Sequence, residues 1–132
     1  MGYLDVILAA IAAFALGAVY YMVLAKPWMA AAGIAVGPDG QPVNGRDPIP
    51  YIVSLVCILL VSGMMRHTFA LSGIDTVGKG LVSGLGVGLF FISPWIFINV
   101  GYAQRPWKLA LIDSGYATLA SGVIGVVLIL MA

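Results

Sequence analysis

Four apolar stretches, residues 4 to 25, 51 to 72, 76 to 102 and 107 to 131, decide what this chain can fold into. Each is too long for a core strand, and none alternates apolar and polar residues as a membrane barrel strand does. A bilayer offers no water to unpaired backbone groups, so a run of about 20 apolar residues must satisfy its own amides as a helix. The expected fold is all-α: an integral membrane bundle of four transmembrane helices forming a single domain over residues 1–132. With 62% apolar and 8% charged residues, little chain remains for soluble catalytic machinery. The net charge of +1 provides no basic field, so nucleic acid is not an expected partner.

Local signals refine the four spans. The first 25 residues carry Asp5 where a signal peptide would carry basic residues, so they read as a retained span. Pro50 and Pro106 suit first turns of the second and fourth helices, where a missing N–H costs nothing. Pro94 lies inside the third stretch and predicts a kink between Phe90 and Pro94. The one sizeable loop, about 33–49, holds Gly-Pro-Asp-Gly at 37–40 and Asn-Gly at 44–45, turn signals that predict a small hairpin at the membrane surface. An even number of spans puts both termini and the 72–75 turn on one side. Lys26, Arg46, Arg105 and Lys108 fall on the long-loop side against Arg66 and Lys79 on the other, so the positive-inside rule places the long loop in the cytoplasm.

Lys26-Pro27-Trp28 follows the first stretch and Arg105-Pro106-Trp107 follows the third, 79 residues later. The recurrence raises two parallel helical-hairpin repeats, related by an axis along the membrane normal, as one reading and coincidence as the other. Each triplet is an interfacial anchor, with Trp28 or Trp107 at headgroup level and the cation snorkelling, or the two together clamp a lipid headgroup or other ligand.

In the fourth stretch Ala110, Asp113, Ser114, Ala117, Thr118, Ser121, Gly122 and Gly125 share one small or polar stripe. Leu109, Ile112, Tyr116, Leu119, Val123 and Ile124 lie opposite, suited to lipid or bulky packing. The third stretch offers Gly80, Gly84 and Gly88 at steps of four with Ser83 beside them, and Ala9, Ala13 and Gly17 give the first a weaker face of the same kind. Close approach at small residues is what holds membrane helices together, whether the partner is internal or another subunit.

Asp113 lies about 10 Å into the fourth helix, too deep for a short carboxylate to stand alone. Arg105 or Lys26 is an expected ion-pair partner, and Tyr116, Asn99 or a neighbouring Ser or Thr an expected hydrogen-bond partner. The sharper alternative is a proton or cation site. On the opposite side Arg66, His67, Asp5, Asp75 and Lys79 read as a satisfied interfacial charge cluster, with Asp75 capping the third helix and meeting Lys79. A proton relay or anion site is the alternative there. Cys57 is the only cysteine and reads as packing. Met64, Met65 and His67 supply at most one strong metal ligand, so neither a metal nor a cofactor is expected. No catalytic motif is present, and an enzyme is not expected.

Gly17-Ala18-Val19-Tyr20-Tyr21 leading to Lys26-Pro27-Trp28, the glycine-rich third stretch, and Arg105-Pro106-Trp107-Lys108-Leu109 running into Ile112-Asp113-Ser114-Gly115-Tyr116 resemble the bacterial membrane family of domain of unknown function 1761. The resemblance covers nearly the whole chain. Tyr20-Tyr21 stands where members often read Trp-Tyr, and the long loop is atypical. Membership implies a small four-helix inner-membrane protein and lends no established activity. The expected role is non-enzymatic: a homo-oligomer or an accessory subunit of a membrane complex, with membrane lipids and other subunits as partners. The alternative is a small oligomeric transporter or channel using Asp113, and a membrane enzyme with Asp113, Tyr116 and Arg105 ranks third.

Overall fold

The computed structural model describes residues 2–132. Helix α1 (Leu4–Val23) is followed by a short helix α2 (Ala25–Ala32), the surface loop, α3 (Ile49–Ser72), a third span running from α4 (Val77–Gly86) through a π-helical turn (Val87–Ile92) to α5 (Ser93–Tyr102), and α6 (Trp107–Leu130). Four helical spans of 20, 24, 26 and 24 residues are long and apolar enough to cross a membrane. The shortest gives about 30 Å of helix, one hydrocarbon thickness.

The spans end where local chemistry stops them. Gly33 and Gly73 close α2 and α3 in the left-handed conformation, with φ of +70° and +66°, and each donates its N–H to a carbonyl four residues back. Pro50 sits in the first turn of α3. Pro106 lies one position earlier than expected, as the extended N-cap of α6 rather than inside its first turn. Thr76, not Asp75, caps α4: its hydroxyl accepts the Lys79 N–H at 3.2 Å, while Asp75 meets Lys79 Nζ at 3.4 Å. In the loop, Val36 and Pro42 form one antiparallel bridge around the 37–41 turn.

Where Pro94 interrupts the third span, the helix widens into the π turn just before it. Proline lacks the N–H that would bond the carbonyl four residues back, and its ring collides with that carbonyl. A wider turn relieves both problems, and Ser93 uses its hydroxyl to bond the Gly88 carbonyl at 2.6 Å.

The spans run in the order α3, α1, α6 and third span, with α6 the most covered of the four. Half of the α6 span is buried within the protein, against 22%, 17% and 11% for the first, third and second spans. One side of α6 receives the third span. Gly80, Gly84 and Gly88 face Gly125, the Ser121–Gly122 backbone and the Ala117–Thr118 backbone in turn, and a Cβ on Gly80 would come within 2.6 Å of the Gly125 carbonyl. The other side of α6 receives α1, where Ala9 and Ala13 meet Ala120, Ile124 and Leu128, with Tyr116 packed alongside. Ile112, Tyr116 and Ile124 therefore serve protein packing and not lipid contact, because α6 is covered on two sides. Helix α3 leans on α1 through Met65 and Phe69, and its buried Ser62 hydroxyl donates to the Val6 carbonyl at 3.0 Å.

In lipid, apolar side chains gain little by leaving one hydrocarbon surface for another, so this backbone-to-backbone contact carries the α4–α6 pairing. Gly84→Ala is expected to lower stability by about 1–3 kcal/mol, since its Cβ would be driven into the α6 backbone. Gly86→Ala, whose Cβ would meet nothing within 4 Å, should be neutral or gain up to about 1 kcal/mol. Reversible unfolding in mixed detergent micelles measures both.

Candidate functional site

The polar chemistry inside the spans concentrates where the C-terminal end of α1 meets the N-terminal half of α6. Two glycines make the approach possible. Tyr116 lies over Gly17, whose missing Cβ would stand 2.8 Å from the Tyr116 hydroxyl, and that hydroxyl donates to the Ala13 carbonyl at 2.8 Å. Reciprocally, Tyr20 crosses Gly115 and donates to the Ile112 carbonyl at 2.6 Å. Each tyrosine thus reaches across to the backbone of the other helix, and neither phenol is left unpaired in an apolar setting.

Beside this lattice, the Tyr21 hydroxyl donates to Asp113 Oδ1 at 2.7 Å. The Trp28 indole stands beside the same phenol, its ring centroid 5.6 Å from that of Tyr21. The rings of Tyr20, Tyr21, Tyr116 and Trp28 form one cluster with centroids 5.2–5.8 Å apart, the edge-on and tilted contacts that aromatic quadrupoles favour. Asp113 is half-buried at the edge of that cluster, and its partner is a neutral phenol.

The expected partners of Asp113 lie elsewhere. Arg105 is exposed and rests its guanidinium against Gly33, because it precedes α6 and turns toward the end of α2 rather than down α6. Lys26 is exposed on α2, facing the surface groove. Tyr116 is committed to Ala13, and Asn99 is exposed on α5, across the row from α1. Among the described residues no cation lies within 4.0 Å of Asp113. The Ser114 carbonyl accepts from the Thr118 hydroxyl one turn along α6 at 2.8 Å and lies 3.5 Å from the Ser93 hydroxyl at the start of α5. The Ser114 hydroxyl is buried without a hydrogen-bond partner.

At the opposite end the anticipated cluster divides into two pairs. Arg66 Nε meets Asp5 Oδ2 at 3.1 Å, tying α3 to α1, and its guanidinium lies 5.3 Å from the Tyr3 ring centroid. Asp75 and Lys79 form an exposed i,i+4 pair, and His67 is exposed on α3. The two anchors are each held by a neighbouring ring: Trp28 by Tyr21 with centroids 5.6 Å apart, Trp107 by Phe97 at 6.1 Å.

Tyr20 and Tyr21 are the site residues that pattern reading passed over. The signal for Tyr20 is the pairing of Gly17 with Tyr116 and Gly115 with Tyr20, a small residue opposite each large one, which shows only once α1 and α6 are placed side by side, and Tyr21 has no such glycine opposite it. Tyr21→Phe is expected to cost about 1–3 kcal/mol by stranding the Asp113 carboxylate. In an Asp113→Leu background the same change should cost little, and a double-mutant cycle read by unfolding in detergent checks the coupling.

The family profile described as a protein of unknown function, DUF1761, matches residues 4–129. No curated protein and no solved structure matches the chain. The match takes in all four spans, both Trp anchors and the Tyr21–Asp113 pair, and the chain belongs to the DUF1761 family.

Proposed function

We propose that this chain is a non-enzymatic multi-pass protein of a bacterial inner membrane, with its long loop cytoplasmic and both termini periplasmic, that works as a homo-oligomer or as an accessory subunit of a larger membrane complex. The observation that carries the reading is the open row of helices. Helix α3 and the third span flank the molecule, only 11% and 17% of their spans are buried, and each presents a long apolar face outward. Phe90, Phe91 and Trp95 stand 72%, 71% and 66% exposed around the π turn. A row of four spans encloses no pathway, and outside the spans the described residues form only the eight-residue α2 and connecting loops. The glycine ridge of the third span does not supply the oligomer contact, since α6 occupies it. The outer faces are the surfaces left for assembly. Mass measurement in mild detergent tests the proposal: an oligomer or a co-purifying membrane subunit is expected, and a strictly monomeric, partner-free species would overturn it.

The Tyr21–Asp113 pair favours a second reading, a small oligomeric transporter or channel in which Asp113 holds a proton or cation in transit. An intramembrane carboxylate with a phenol as its direct partner keeps a free acceptor oxygen, and intramembrane acids commonly mark ion pathways. Proteoliposome flux of protons and monovalent cations compared between wild type and Asp113→Asn tests it. A loss of flux of about tenfold or more in the variant is expected, and equal flux would remove the carboxylate from any such role.

A further inference from the structure

The headgroup-level surface around α2 carries cations that the Asp113 pair does not use. Helix α2 bears Lys26 in its first turn and ends at Gly33 in the left-handed conformation. The space that a Cβ on Gly33 would fill is taken by an Arg105 guanidinium nitrogen, arriving from the other hairpin just before α6. Arg105, of the second cation-Pro-Trp triplet, thus reaches the end of the short helix in which the first triplet lies. Lys26 and Gly33, with the apolar Met29, Ala30, Ile34 and Val36, line a groove of about 380 Å³.

Neither Lys26 nor Arg105 lies within 4.0 Å of a carboxylate among the described residues. Gly40 completes the groove rim, and its neighbour Asp39 turns inward to its own turn, where Oδ1 accepts the Gln41 N–H at 3.0 Å. Asp113 is engaged by Tyr21. Two cations from different hairpins, neither paired with a carboxylate, therefore stand at this groove, Lys26 in its lining and the Arg105 guanidinium against its Gly33, beside an apolar wall.

We propose that this groove binds an anionic glycerophospholipid, its phosphate held by Lys26 and the Arg105 guanidinium over Gly33 and its glycerol and upper acyl segments lying along Met29, Ala30, Ile34 and Val36. A guanidinium presents paired N–H donors to phosphate oxygens, and an ammonium supplies a compact charge beside them. The apolar lining and the position at headgroup level select a lipid over a soluble phosphate. Because Lys26 belongs to the first hairpin and Arg105 to the second, a bound lipid would tie the two together at this end.

The test uses the full chain in phosphatidylcholine nanodiscs containing increasing phosphatidylglycerol, with retained lipids counted by native mass spectrometry after mild detergent extraction. Wild type is expected to retain phosphatidylglycerol over phosphatidylcholine. Lys26→Gln and Arg105→Gln should each reduce that retention about fivefold, as expected for one cation near an anionic headgroup. Gly33→Ala keeps both charges but displaces the guanidinium, and should reduce retention as well. The double change Arg46→Gln/Lys108→Gln removes two positive charges from the same side, twice the loss in either single variant, and should leave retention unchanged. Equal retention of the two lipids by wild type would overturn the proposal. So would a loss in the Arg46/Lys108 variant as large as in the Lys26 and Arg105 variants, which would assign the effect to the general surface field. Displacement of the bound lipid by millimolar inorganic phosphate would replace the lipid with a soluble anion and equally overturn it.

Discussion

The fold depends on backbone contact between the third span and α6. In water, burying Leu or Val against another helix would supply the drive, but in a bilayer the alternative to protein contact is an equally apolar acyl chain. What remains is dispersion at short range, and that requires residues without side chains. Gly80, Gly84 and Gly88 on one helix and Gly122 and Gly125 on the other let the two backbones touch. With that side of α6 fixed, its bulky side is presented to α1, and α1 in turn carries α3. The order of the row follows from which helix is smooth on one side and ridged on the other.

The four spans, their helical state and the small-residue faces were legible because each rests on a local rule: the length of an apolar run, or the spacing of glycines along a helix. The glycine ridge was legible as a contact surface, though not its owner, since the same spacing serves an internal helix or a second chain. What pattern reading missed is non-local. The sequence offers Asp113 the cations Arg105 and Lys26 or the hydrogen-bonding Tyr116 and Asn99, yet Arg105, Lys26 and Asn99 are exposed and Tyr116 is bonded to Ala13. A phenol on the facing helix reaches the carboxylate without bringing a second ion into the hydrocarbon. Tyr21 could not be named from spacing, because its relation to Asp113 spans 92 residues. The π turn was missed for another reason. Proline announces that the regular ladder must break, but whether the helix kinks or widens depends on Ser93 and Gly88, whose bond compensates the break.

The two ends of the molecule handle charge differently. Around Asp5, Arg66, Asp75 and Lys79 every charge has an opposite partner within 3.4 Å. At the long-loop end the acids are occupied by phenol or backbone N–H groups, through Asp113, Asp39 and Asp47, while Lys26 and Arg105 are not paired with them. The cations Lys26 and Arg105 are thus left available to an anionic headgroup, as the proposed lipid groove requires. The other end, with its charges matched in pairs, has no such bias.

The recurring cation-Pro-Trp triplet looks different once both copies are seen in place. Pro27 lies within the first turns of α2, and Pro106 is the N-cap of α6, so each triplet marks the start of a helix just after a span ends. In the second half that helix continues across the membrane. In the first half it stops after eight residues at Gly33, and the surface loop intervenes before α3. Packing diverges further: the second hairpin is joined through glycine backbones, the first through Ser62, Met65, Phe69 and the Asp5–Arg66 pair. The shared element is therefore the way the chain meets one membrane surface, where a cation, a rigid turn and an indole suit the headgroup layer whatever helix follows. Selection at that surface alone is sufficient to produce the triplet twice, and the unequal packing of the two hairpins is what that account leads one to find.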